Sequence, residues 1–192
     1  MFNLLTKTEN ELQLHEGFFE KLLEEDDWSF VIKIHAIIES AVSQKLANTL
    51  DKRLLSIFQR LDLGDRRIGK VVFARELGLL SKADCSFIQN LSELRNLLVH
   101  NIRNTNFNFR THIDSLDKEK RKKFLSWLVA FSYKESRAQW IQNAFDNPKI
   151  PIWLNTISLI WHASLVTLKA ELDREMQSVA YRLLQIKEPE IS

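Results

Sequence analysis

The sequence holds one cysteine, four glycines, three prolines and two tyrosines in 192 residues. Each scarcity excludes something. A lone Cys85 cannot close an internal disulfide or build a cysteine-rich zinc site. So few glycines and prolines argue against a disordered tract, a collagen-like repeat or a turn-rich β-sandwich. Long apolar runs are also missing. The stretch Trp127–Phe131 falls far short of the roughly 20 residues that span a bilayer. Residues 1–14 lack a basic segment followed by an apolar one, so no secretory leader is expected. Nor does charge of one sign dominate. Lys and Arg total 27 against 25 Asp and Glu, a formal net charge of +2. That balance excludes a protein that coats nucleic acid over its whole surface, though it leaves room for a local basic patch. A cytoplasmic protein with no membrane association is expected.

What the chain does have is apolar residues at helical spacing nearly throughout, with no sustained strand alternation. The pattern predicts an all-α protein, a single-domain bundle over residues 1–192 with about seven helices. The expected spans are 9–25, 28–50, 53–61, 67–77, 81–102, a stretch within 116–145 with a break near Tyr133, and 151–187. Trp28, Val31, His35, Ile38, Val42 and Leu46 share one face of the second. Gly64 and Gly78 read as helix stops. Ser81 and Asp84 have the spacing of a capping box. Residues 101–112, polar and asparagine-rich, read as a loop. Asn147-Pro148-Lys-Ile-Pro151 is the clearest break, and after it Trp161, Leu165, Leu168, Leu172, Met176, Val179, Leu183 and Ile186 step by threes and fours. That stripe predicts a long C-terminal amphipathic helix.

Several segments invite a chemical reading. Gly64-Asp-Arg-Arg-Ile-Gly69-Lys70 has phosphate-loop spacing, but Val71 stands where a magnesium-binding hydroxyl belongs, and no strand precedes it. It reads as a turn between helices. His35 and Glu39 lie four apart on one helix face, where both can support a catalytic centre or sit together at the core edge. No HExxH motif or second histidine at that spacing accompanies them, so neither a metal nor another cofactor is expected. Lys120, Arg121, Lys122 and Lys123, with Arg103 and Arg110 upstream near Phe107 and Phe109, offer cations and rings to single-stranded RNA. Asp114, Asp117 and Glu119 dilute that charge, so the run also fits a solvated helix start.

The most informative segment is Leu91-Ser-Glu-Leu-Arg95-Asn96-Leu-Leu-Val-His100. At 100° per residue, Phe87, Leu91, Leu94, Leu98 and Ile102 form an apolar stripe. Gln89, Glu93, Asn96 and His100 fall on the opposite face, with Arg95 at its margin. Arg95 and His100 point about 140° apart, so joint action on one atom calls for a second copy of the helix, with Leu97 suited to the contact. The residue types match metal-independent RNA cleavage. A histidine moves the proton of the 2′-hydroxyl or of the leaving 5′-oxygen. An arginine stabilises charge developing on the phosphate, and an amide such as Asn96 orients either. The other reading is a solvated helix-end histidine and an arginine paired with an acid such as Glu39. Spacing alone decides nothing, because a chain of this composition holds about one such Arg–His pair by chance.

Context adds a resemblance. Arg95-Asn96-x3-His100, late in a helix of an all-α chain, resembles the Arg-x4-6-His signature of the HEPN superfamily. Residues 64–100, with Ile68-Gly-Lys-Val-Val-Phe-Ala-Arg-Glu-Leu-Gly-Leu-Leu80 before the motif, are similar to the mannitol operon repressor-like branch, where an LGLI turn precedes a helix ending in RN-x-x-x-H. Lys33-Ile-His35-Ala-Ile-Ile-Glu39 resembles the first conserved helix of that group. The likeness covers about residues 28–101. It implies a dimeric helical bundle and, in many members, a metal-independent endoribonuclease serving as a toxin or antiphage effector. His100 would then be the acid/base, Arg95 the phosphate binder and Asn96 their support, with RNA as substrate and an antitoxin or regulatory protein as a further partner. One toxin branch carries a modifiable tyrosine two positions past the histidine, where this chain has Ile102. The repressor-like branch implies the other reading, a non-catalytic regulatory or protein-binding module. A third function class, a nucleic-acid binder using the Lys118–Lys123 run, rests on the residues alone.

Overall fold

A computed structural model describes residues 2–129, 137–164 and 176. Among these residues the structure is α-helical with no strand, as the periodicity predicts. The helices are more numerous and shorter than the seven expected. They are α1 (Phe2–Glu11), α2 (Phe18–Leu22), α3 (Asp27–Thr49), α4 (Leu55–Arg60), α5 (Lys70–Glu76), α6 (Lys82–Val99), α7 (Phe109–Ser115), α8 (Lys118–Leu128), α9 (Arg137–Asp146) and α10 (149–164). Short 3-10 turns occupy Lys52–Leu54 and Ile102–Asn106.

Two of the three extra helices arise where polar side chains capture backbone groups. The expected helix over 9–25 is divided. Gln13 and Gly17 take positive φ angles, and the buried Glu9 carboxylate accepts from the backbone N–H groups of Gly17 and Phe19. Glu9 thereby satisfies the opening donors of α2 while sitting near the end of α1. The expected loop at 101–112 contains the second 3-10 turn and the start of α7, which Asn108 caps by accepting from the Thr111 N–H. Pro148 separates α9 from α10 as expected. The C-terminal helix expected over 151–187 is observed through residue 164. Its remainder, including all of the stripe beyond Trp161 except Met176, lies outside the described residues, as does the break expected near Tyr133.

The 23-residue α3 organises the core. Asp26 caps it by accepting from the Ser29 N–H. Val31, His35, Ile38, Val42 and Leu46 are buried as predicted, but so are Phe30, Ile34, Ile37 and Ala41. A helix apolar on most of its circumference belongs inside a bundle, and α3 packs against α4, α5 and α6. On α6, Phe87, Leu91, Leu94 and Leu98 are buried, and the capping box forms in both directions between Ser81 and Asp84. From the far side α10 reaches back to the first helices. Trp153 donates to the Phe19 carbonyl, Trp161 to Thr8, and Lys149 pairs with Asp27 at 3.2 Å. No helix among the described residues is long and apolar enough to cross a membrane.

Candidate functional site

Arg95 and Asn96 lie in the C-terminal half of α6 and His100 closes it, with Asn96 and His100 on the polar face and Arg95 at its margin. Arg95 is half-buried and donates from Nη1 to Asn96 Oδ1 at 3.0 Å. Asn96 is exposed, and its backbone carbonyl accepts the N–H of His100, the residue that closes the helix. The His100 ring is exposed and has no hydrogen-bond partner among the described residues.

Behind this flank lies a buried polar layer that joins four elements. His35 of α3 faces Ser92 of α6, Nε2 to Oγ 3.1 Å. One turn along α3, Glu39 accepts from Lys70 Nζ at 2.8 Å. The Lys70 side chain is 0% exposed and Glu39 32% exposed. His35 Nδ1 lies 4.0 Å from the second Glu39 oxygen, an electrostatic contact too long for a hydrogen bond. Burial pushes the His35 imidazole below its ordinary pKa, and the Arg95 charge pushes the same way. Lys70 adds to this, while Glu39 and Asp62 oppose it. The ring is therefore neutral at pH 7, and the same coupling puts the Arg95 guanidinium within electrostatic reach of His35. Of the two supporting residues expected on α3, His35 meets α6 at Ser92, one turn before Arg95 and Asn96, and Glu39 meets Lys70.

The loop after α4 completes the arrangement. Asp62 and Leu63 accept the backbone N–H groups that open α5, so Lys70 enters the core at a fixed point. The phosphate-loop lookalike is a turn between helices, as its missing hydroxyl and strand indicate. With α6 the loop encloses a cleft of about 310 Å³ whose walls include Asp62, Gly64, Arg66, Ser92, Glu93 and Asn96. Arg66 pairs with Glu93 across it at 3.0 Å. Two members of this layer escape sequence reasoning, Lys70 and Ser92. The available signal for Lys70 is a single cation within Ile68-Gly-Lys-Val-Val-Phe73, of which Gly69 and Val71 are buried with it while Ile68 and Phe73 are exposed.

The expected RNA-binding cations separate into two groups. Arg121 donates to the carbonyls of Ile113, Asp114 and Leu116, closing the end of α7. Arg110 pairs with Asp114 and lies 4.0 Å over the Phe145 ring. Those two guanidiniums are occupied in the fold. Lys122, Lys123 and Arg103 are exposed with no side-chain partner among the described residues, and Lys120 meets only the exposed Asp117. No cluster of three or more metal-ligating side chains occurs among the described residues. Comparisons with protein-family models, with curated proteins and with solved structures found no match to this chain, so geometry and chemistry carry the functional reading.

Proposed function

We propose that the chain is a metal-independent endoribonuclease of HEPN type, acting as a homodimer in toxin or antiphage defence. The observation that carries the reading is the Arg95–Asn96 bond on an accessible flank of α6, one turn before an exposed His100. An arginine held by a neighbouring amide presents a fixed cation to a phosphodiester. In the reaction a histidine takes the 2′-hydroxyl proton as the 2′-oxygen attacks phosphorus. The bond to the 5′-oxygen breaks, and that oxygen takes up a proton, leaving a 2′,3′-cyclic phosphate and a 5′-hydroxyl. Two imidazoles, one from each copy, serve as base and acid. Support for a second copy comes from Leu97 and Val99, which are 53% and 42% exposed beside His100 on the same helix end. Apolar side chains flanking a polar site gain by being covered.

A second reading rests on the His100 ring, which has no partner among the described residues. An imidazole that no neighbour orients also fits a non-catalytic regulatory module that retains the motif. The deciding experiment incubates purified protein with mixed RNA in EDTA, beside the Arg95→Ala/His100→Ala double variant. Cleavage by the wild type alone, with cyclic phosphate ends, is the expected result. Intact RNA in both samples overturns the nuclease reading and favours the regulatory one.

A further inference from the structure

Beside the first cleft on α6, and sharing Glu93 with it, a second cleft of about 240 Å³ opens between α6, α7 and α8. Its walls are Leu94 and Leu97 from α6, His112 from α7, and Phe124 and Trp127 from α8. The rings are mutually fixed. His112 meets Phe124 at 5.2 Å and Phe124 meets Trp127 at 5.5 Å, both edge to face. Burial lowers the His112 pKa, so this ring is uncharged at pH 7. Polar groups occupy the rim. Asn90 spends its amide N–H on the Ser86 carbonyl, which leaves its oxygen open as an acceptor. Glu93 stands between the two clefts and uses one oxygen on the exposed Arg66 across the first, a contact that solvent weakens, while its other oxygen has no partner among the described residues. Lys120 and Lys123 of α8 also line the cleft, Lys120 with its ammonium on the exposed Asp117 at 3.0 Å.

We infer that this cleft takes a single nucleobase carrying exocyclic or ring N–H donors, guanine first, with its phosphate on Lys120 and Lys123. The volume lies below the roughly 300–1,000 Å³ of clefts that hold drug-sized ligands, so the occupant is small. Three aromatic walls favour a flat π-system, because unpaired bases are held by stacking on such rings. The open acceptors on Asn90 and Glu93 select the edge, since a carboxylate accepts from amino and imino N–H groups. Uracil offers one such donor and presents carbonyl oxygens beside it, which the Glu93 carboxylate repels. An aliphatic chain leaves both acceptors unpaired. Leu97 borders the cleft on the α6 turn that carries Arg95 and Asn96, one turn before His100, so a base seated here leaves its backbone near those residues. The inference rests on the ribonuclease reading for its substrate class, yet occupancy is measurable without any cleavage.

The test is calorimetric titration of the full chain with the 5′-monophosphates of guanosine, adenosine, cytidine and uridine, and with ribose 5-phosphate. Guanosine monophosphate is expected to bind at least tenfold more tightly than uridine monophosphate, and ribose 5-phosphate more weakly than either. Glu93→Gln should erase most of that preference, whereas Lys123→Ala should weaken all four nucleotides by a similar factor. Both positions are exposed, so the variants keep the fold. Equal binding of ribose 5-phosphate, equal binding of the four nucleotides, or no binding overturns the proposal. Nucleotide affinity and RNA cleavage are read in separate assays. Nucleotide binding without RNA cleavage therefore removes only the nuclease reading, and cleavage without nucleotide selectivity removes only this one.

Discussion

Lys70 Nζ donates to Glu39 Oε1 at 2.8 Å, joining a fully enclosed ammonium to a carboxylate that water still reaches. The asymmetry predicts unequal costs for removing each partner. Glu39→Gln strands a buried cation, which destabilises by about 3 kcal/mol, the lower end for breaking such a pair because Glu39 is partly solvated. Lys70→Met replaces the cation with an apolar chain of similar length and leaves a carboxylate able to hydrate, at about 1 kcal/mol. Urea denaturation of the two variants measures both. Equal losses, or the reverse order, would show that the pair is held by packing and that charge contributes little.

Much of the fold was legible because α3 and α6 obey simple rules. The α3 stripe, the Ser81/Asp84 box, the stop at Gly78 and the break at Pro148 are each local signals read within four residues. What escaped was non-local. Glu9 caps a helix eight to ten residues onward, and no periodicity announces a carboxylate that folds back on its own chain. Arg121 resembles its lysine neighbours in sequence, yet three carbonyls at the end of α7 claim its guanidinium. At the site, Arg95, Asn96 and His100 were visible as a pattern, and His35 with Glu39 as a pair. What joins α3 to α6 behind them is the contact of His35 with Ser92, 57 residues distant in sequence, which spacing cannot supply.

Asn96 separates a functional from a structural role. Its side chain is exposed and, among the described residues, bonds to Arg95 alone, so Asn96→Ala should shift stability by no more than about 0.5 kcal/mol. If Asn96 orients the arginine on phosphate, single-turnover RNA cleavage should fall roughly tenfold to hundredfold. Arg95→Lys should not restore a loss of that kind, because an ammonium lacks the planar fork that meets phosphate and amide together. Unchanged cleavage by Asn96→Ala would assign the bond to the helix surface alone.

The depressed pKa of His35 makes stability depend on acidity with a definite sign. In the unfolded chain its imidazole binds a proton near pH 6.5, whereas the folded ring, buried and beside Arg95, does so only at lower pH. Below pH 6.5 the unfolded state therefore holds more protons, and stability falls as pH drops through that window towards the folded pKa. His112, lowered by burial, contributes in the same direction. The thermal midpoint should decline between pH 7 and pH 5. His35→Asn should remove part of the slope, and His35→Asn/His112→Asn more of it. Parallel curves for wild type and both variants would place the acid sensitivity elsewhere.

Gly64 and Ser92 test how tightly the loop after α4 is pressed onto α6. A Cβ added at Gly64 would stand 2.9 Å from both Cβ and Oγ of Ser92, inside ordinary van der Waals contact. Ser92 cannot simply turn away, since its Cβ is fixed to the helix and its hydroxyl faces His35. Gly64→Ala should therefore destabilise by roughly 1–3 kcal/mol as the loop is forced outward. Ser92→Gly alone should cost about 1 kcal/mol for a glycine inside a helix, plus a further amount for the lost contact with His35. Together the two changes free the contested space, so the double variant should be less destabilised than the sum of the singles. A coupling of at least 0.5 kcal/mol in a denaturation cycle is the expected reading. Simple additivity would mean that the loop yields without engaging α6, and that the cleft between them is softer than its geometry implies.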